Sequence, residues 1–532
     1  MSLAAFSFEM DDRQSTLLDD LRRADSLTAQ EARRSARRAA WLVECSTEQW
    51  REWLTAVYEL PPPLDDAADR LLATWLAAVN AERSQAARSG APPLPPVTEL
   101  LPEIQRLYHA LTPVSRARAQ FLPWLANSTD DAALDLLAEI LVADPPADDN
   151  DVVLALAPLF QRRRREAARL FPRLLAALAH PALAAPVLDL ANFLSREQLV
   201  PRHPAADQSA QLIQLLGNLV HSLEALEERQ GAQGQSPQDL SQKVSRGVAL
   251  AVSLCDALAQ IGDKAAIGKL RQTLALPHRR IRTEAAAALA RLGDDEGRAE
   301  LIQLAAQPVA RLRVLAYAAE LSLLDRIDPE FQTPLARAEA ELCVWLAEPT
   351  QYGVPPAACE LYDQRRWRWP GFDEPVDCFL FRFQYAVTLA DQERSFSNIG
   401  IAGPVTHAVL ADLSDLPPDD IYALFAGWQA QHEEIREFEV ARLARTEQLE
   451  VARLARRLND AGYAQIEPQR LGYFFGDKAL VASARHQGVP GVAVADFQEI
   501  AFFPERHSQR PIGASEAYWI YKGRRLLAAF NR

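Results

Sequence analysis

The sequence predicts a mainly α protein. A right-handed solenoid of paired α-helices covers roughly the first 348 residues, and a small α+β region with a long connecting helix follows. Three observations predict it. A helical unit returns at a fixed offset of 31 residues in the middle of the chain. Apolar residues recur at helical spacing from residue 9 to about 348. After Pro349 the spacing changes to strict alternation, the mark of a strand.

The elements follow in order. Leu17, Leu18, Leu21 and Leu27 begin an apolar stripe. Trp50, Trp53, Leu54, Val57 and Tyr58 form the inner face of the next helix, with Ser46 or Thr47 as N-cap and Pro61–Pro63 as stop. Leu71, Leu72, Trp75, Leu76 and Val79 form another, and the run 90–96 is a stiff proline-rich connector. From Asp130 short helices succeed each other: one with Leu134, Leu137, Ile140 and Leu141, then 152–160, 170–178, 183–194 and a longer one over 207–229. Gly231 to Pro237 is a flexible loop.

The strict repeat occupies about 246–325. Leu258-Ala-Gln-Ile-Gly-Asp263 returns as Leu289-Ala-Arg-Leu-Gly-Asp294, and Arg280-Ile-Arg282 returns as Arg311-Leu-Arg313. In each copy a helix runs into a Gly-Asp turn and a second helix returns. Glycine suits the left-handed position after a helix, and aspartate caps the next one. Alanines at 285–288 and at 316, 318 and 319 let neighbouring helices approach. The third copy has Leu324 in place of the glycine and reads as a terminal cap, with a helix over 334–347.

In the C-terminal part Phe379, Phe381, Phe383, Tyr385 and Val387 alternate with more polar neighbours, predicting a strand buried on its aromatic face. Ser397–Ile401 reads as its partner, and Gly403-Pro404 as the start of a short helix ending near Leu413. A long helix is expected over 416–461, because Glu439-Val-Ala-Arg-Leu-Ala-Arg445 recurs unchanged as Glu450–Arg456, 11 residues on. Val492–Val494 and Ile500–Phe503 read as strands, and 518–530 as a terminal hairpin. The division expected is 1–96, 97–348, 349–415, 416–461 and 462–532.

The 532 residues carry 57 basic and 71 acidic side chains, a net charge of −14. That balance argues against a general nucleic-acid binder. Residues 360–439 hold 15 acidic and 6 basic residues, whereas 440–532 hold 14 basic and 9 acidic. Five scattered cysteines without a Cys-x-x-Cys pair fit a reducing compartment. The N-terminus lacks a signal-peptide pattern, and no stretch of 18 or more uncharged apolar residues appears. A cytoplasmic protein without metal or cofactor is expected.

Residues 249–325 resemble the short bacterial HEAT repeats of the phycobilisome-lyase type. The resemblance rests on Arg282 and Arg313 early in the first helix, the alanine stripe and the Leu/Ile-Gly-Asp turns. It implies a HEAT/armadillo-like fold. Proteins with such repeats include chromophore lyases, scaffolds and DNA-alkylation glycosylases.

Four groups are candidate sites. Arg280, Arg282, Arg311 and Arg313 read as an anion or acidic-peptide groove, or as an Arg–Asp ladder with Asp263 and Asp294 between stacked repeats. Arg162–Arg165 reads as a solvated helix face. Arg365-Arg366-Trp367-Arg368-Trp369 interleaves cations with indoles, either to stack on a ligand or to plug the solenoid end by cation–π contact. Asn398, Gly400 and Gly403, with His407 nearby, resemble a glycine loop before a helix, a geometry that holds anions. The phosphate-loop lysine is missing, and no catalytic signature is present. The expected role is protein–protein recognition by a scaffold or adaptor, without catalysis. The alternatives are an enzyme with its site in the C-terminal α+β region, and nucleic-acid binding through the arginine clusters.

Overall fold

The computed structural model describes residues 12–60, 64–89, 97–160, 165–228, 237–389, 392–505 and 510–531. The proline stop at 61–63, the connector at 90–96, the loop at 231–236 and Arg162–Arg164 lie outside them. The chain is mainly helical and forms two compact units, Met1–Ala299 and Glu300–Arg532.

The first unit is helical throughout its described residues. Ser46 caps the Thr47–Tyr58 helix in a reciprocal capping box with Gln49. That helix buries Trp50, Trp53, Leu54 and Val57, while Tyr58 stays exposed. Trp50 meets Trp53 and Trp124 edge-on at 5.5 and 4.9 Å, and Trp53 leans on Trp75 at 6.3 Å. Edge-on contact suits the ring quadrupole, so these indoles fill the core with favourable geometry. Asp69 accepts from the Ser115 hydroxyl and from the Arg116 N–H at 2.9 Å, tying the Asp66–Ser89 helix to the start of the Arg116–Asn127 helix. The expected helix at 170–178 is instead a pair of 3-10 segments, Arg165–Leu170 and Arg173–Ala179.

A buried polar network holds the middle of this unit. Ala205 N–H donates to His203 Nδ1 at 3.2 Å, so the other ring nitrogen carries the proton and faces Asn192 Oδ1 at 2.9 Å. Asn192 Nδ2 then donates to the Ser253 carbonyl at 3.0 Å. Burial pushes His203 down to about 4.

The repeat turns form as the residues demand. Gly262 and Gly293 both take positive φ, at 80° and 86°. Asp263 and Asp294 accept from the N–H groups of Ala265 and Gly297, at 2.9 and 3.1 Å. The third turn places Ser322 in the left-handed region at φ 57°, two residues before Leu324. Leu323 N–H still closes back to Ala318 O at 2.7 Å, as Asp294 N–H does to Leu289 O. Of the alanines at 316, 318 and 319 only Ala318 is buried; Ala316 and Ala319 are exposed.

The second unit holds two antiparallel sheets. The first runs β1 (Ala358–Trp367), β2 (Val376–Leu389), β3 (Gln392–Ala402) and β4 (His407–Ala408), in that order. The second runs β5 (Ile435–Glu439), β6 (Tyr463–Phe474), β7 (Asp477–His486), β8 (Val489–Ala495) and β9 (Ile500–Pro504). The outer face of the first sheet carries Phe379, Phe381, Phe383 and Tyr385 against the Pro334–Leu346 helix. The outer face of the second carries Leu480, Ala482 and Ala493 against the Arg445–Asp460 helix. Between the sheets lie the Pro418–Gln429 and Ala514–Phe530 helices. They share one core with Leu380, Ile399 and Ile401 from one sheet and Val481, Val492 and Val494 from the other.

The order helix, antiparallel meander, helix therefore occurs twice. Tyr422-x-Leu-Phe-x-Gly427 on the first inner helix matches Tyr518-x-Ile-Tyr-x-Gly523 on the second, 96 residues on.

Three expectations are corrected here. The long helix over 416–461 is two helices separated by β5. The first copy of the repeated heptapeptide leaves β5 through a tight turn, and only the second is helical. Pairing with β6, Ile435 opposite Phe474 and Phe438 opposite Leu471, overrides the helical tendency. The terminal hairpin is the Ala514–Phe530 helix, with Ala517, Tyr518, Ile520 and Tyr521 buried at helical spacing. No short helix follows Gly403-Pro404: the chain stays extended through β4, which pairs with Gly400 and Ile401.

Candidate functional site

The expected site residues fall into separate environments. Arg280 and Arg282 lie at the start of the Arg279–Arg291 helix in the first unit, exposed and half-buried respectively. Arg311 and Arg313 lie on the Pro308–Glu320 helix in the second. Arg311 is 3% exposed. Its donors go to Ala305 O at 2.9 Å, Ala336 O at 2.7 Å, Glu339 at 2.6 Å and Ala306 O at 3.3 Å. A guanidinium so enclosed organises its own helices and offers nothing to a groove. Arg313 is exposed over the Tyr317 ring at 4.7 Å.

Asp294 pairs with Arg271 at 2.7 Å, and Asp263 takes the Ser209 hydroxyl at 2.5 Å. These partners come from the Ile267–Leu274 and Ser209–Glu228 helices, which the spacing of the repeat arginines does not reveal.

Asn398, Gly400 and Gly403 make no anion loop. Asn398 and Gly400 are strand residues of β3. Asn398 is buried; its amide donates to Val409 O and Ala411 O, both at 3.0 Å, and its oxygen accepts from Leu413 N–H at 3.0 Å. It shapes the chain after β4. Gly400 sits beneath Leu342, whose side chain would have to give by a few tenths of an ångström to admit a Cβ there. His407 lies flat on Trp428 at 3.8 Å and meets Trp345 at 5.3 Å, and burial lowers its pKa to about 4. It wedges between an outer and an inner helix, far from acid–base readiness at neutral pH.

The cation–indole run closes β1 through Trp367, and Arg368 and Trp369 follow it. Trp369 is buried and donates its indole N–H to Gln429 at 2.6 Å. Trp367 packs on Tyr422 at 5.3 Å, with Arg365 over its ring at 4.7 Å. Arg366 is exposed and pairs with Asp377 at 3.4 Å.

Two of the expected residues do meet. Arg366 and Gly403 line one shallow groove of about 390 Å³, with Arg337 and Glu341 from the Pro334–Leu346 helix and Asp377 and Phe379 from β2. Gly403, at φ 109°, brings the chain so close to Asp377 that a side chain would overlap that residue's carbonyl oxygen. Two guanidinium and two carboxylate groups line the groove together with Pro334, Val376 and Phe379. It offers paired charges and directional donors, and no activated nucleophile. Arg337, Glu341 and Asp377 escape a sequence search because only the fold brings them beside Arg366.

One candidate membrane span, Leu240–Ile261, occurs among the described helices, and half of its apolar window is buried. No protein-family model, curated protein or solved structure matches this chain.

Proposed function

We propose that this chain is a protein–protein interaction adaptor of the cytoplasm, built on a HEAT-like helical solenoid and without catalysis of its own. The observation that carries the reading is the mixed-charge groove beside Arg366. Two cations and two anions around Val376 and Phe379 match the mixed polar and apolar character of a protein segment. A nucleic-acid groove would be one-signed and basic. The return of the same helix–turn–helix unit through Gly262 and Gly293 supports the solenoid.

The test is capture of partners from lysate by the full chain and by Arg366→Glu and Arg280→Glu variants. Loss of one defined protein with Arg366→Glu, and its return in the Arg366→Glu/Asp377→Arg double variant, is expected. Retention of the same partner by both single variants removes the groove and the repeat arginines as the recognition surface. Capture of nucleic acid that collapses with added salt would favour the arginine-cluster reading instead.

A further inference from the structure

Cys343 lies on the Pro334–Leu346 helix, next to Leu342, which packs on the first sheet, and is 3% exposed. Cys359 lies on β1, directly opposite Phe383, and is half-buried. Cys359 packs in one cluster with Leu342 and Leu346 of that helix and with Phe383 and Tyr385 of β2, which brings its thiol within hydrogen-bond reach of Cys343. Each thiol belongs to a different element. The remaining cysteines are placed differently. Cys45 and Cys378 face the carbonyls of Trp41 and Val376, each at 3.6 Å, and Cys255 is fully buried in the first unit.

We propose that Cys343 and Cys359 are a modification site: a dithiol that closes reversibly to a disulfide under hydrogen peroxide, stapling the Pro334–Leu346 helix to the edge strand β1. Cys359, the more exposed, takes the oxygen first. Its thiol gives up a proton, the sulfur attacks one peroxide oxygen, the O–O bond breaks, and the departing hydroxide takes that proton to leave as water, giving a sulfenic acid. The Cys343 sulfur then attacks the sulfenic sulfur. The S–S bond forms, the S–O bond breaks, and the departing hydroxide takes the Cys343 proton as a second water. The two thiols lose two electrons and the peroxide gains them. A dithiol reductant reverses the step by exchange. The neighbouring Cys343 thiol and burial hold Cys359 protonated well above the usual thiol range. The reaction is therefore slow at neutral pH and quickens in alkali.

The experiment counts free thiols in the denatured full chain before and after peroxide treatment, and maps the oxidised pair by peptide mass. The reduced chain has five. Three are expected after oxidation, with the Cys343–Cys359 peptide pair linked, and five again after reduction. The oxidised chain should also melt higher, because the closed loop restrains the unfolded chain. The Cys343→Ser and Cys359→Ser variants should each lose the linked pair. Mapping of the wild-type chain keeps the test valid should a variant fail to fold. Five thiols remaining at every pH tried, a link through Cys45, Cys255 or Cys378, or a link between two chains overturns the proposal.

Discussion

Gly427 and Gly523 hold equivalent places on the two inner helices of the second unit, and each receives the other helix's backbone. A side chain on Gly427 would overlap the Trp519 carbonyl, and one on Gly523 would overlap the Ala423 carbonyl. Residues 423 and 427 correspond to 519 and 523 by the same shift of 96 that aligns Tyr422 with Tyr518. The contact is thus nearly two-fold. Each helix supplies one glycine and one carbonyl, which is how a duplicated helix would pack on its copy.

Alanine at either glycine should therefore separate the helices. The neighbouring atoms are backbone and cannot rotate away. We expect Gly427→Ala and Gly523→Ala each to cost about 3 kcal/mol, at the upper end of overpacking effects. Denaturant unfolding of the full chain, followed by tryptophan fluorescence, checks this. A loss under about 1 kcal/mol in both would mean that the helices slide past each other at little cost.

This duplication also marks the limit of what the chain discloses before folding. The aromatic alternation from Phe379 to Tyr385 names β2 and its buried face, because period two leaves no other reading. The Gly-Asp turns name the repeat, because a left-handed residue after a helix needs glycine. The Ala514–Phe530 helix is disguised by Tyr518, Trp519, Ile520 and Tyr521, all strand-prone residues that burial between two sheets makes acceptable. The two Glu-Val-Ala-Arg-Leu-Ala-Arg copies are identical, so no local rule could assign one to a turn and one to a helix. Partners decide: β6 lies beside the first, and the second covers Leu480 and Ala482. Arg366 was legible as a candidate, whereas its groove depends on residues 337, 341 and 377.

Arg311 and Arg313 should respond in opposite ways to substitution, although they are two residues apart. Removing the Arg311 side chain strands Glu339 and three carbonyls, and breaking such a buried pair costs about 3–5 kcal/mol. Arg313→Ala should change stability by about 0.5 kcal/mol or less, as exposed substitutions do. Thermal unfolding of the two variants side by side separates them. Equal effects would contradict the enclosed position of Arg311. It follows that a loss of binding in an Arg311 variant reports misfolding, while an Arg313 variant reports recognition.

Asn398 should be intolerant for a polar reason. Asn398→Asp removes both donors and turns a carboxylate toward the Val409 and Ala411 carbonyls. We expect a cost of about 3 kcal/mol, more than for Asn398→Ala, since an unpaired buried charge adds to the lost bonds. Amide exchange at 409–413 should rise in both variants. Protection equal to the wild type there would show that the segment holds its course without Asn398.

Acid should weaken the first unit through His203. Its pKa is about 4 in the folded chain because burial disfavours the charged ring, against an ordinary 6.5. Above pH 6.5 both states are neutral and the full stability is present. Between 6.5 and 4 the unfolded chain binds a proton that the folded chain refuses, so stability falls with pH. The slope reaches about 1.4 kcal/mol per unit, and roughly 3 kcal/mol is lost in all. His203→Leu should be less stable at pH 7 yet flatter between pH 7 and 4.5. His407, lowered in the same direction, gives the second unit a slope of the same sign, which His407→Phe should remove while keeping the stack on Trp428. Urea midpoints across this range provide the measurement, and slopes unchanged by both substitutions would exclude these rings as the acid-sensitive groups.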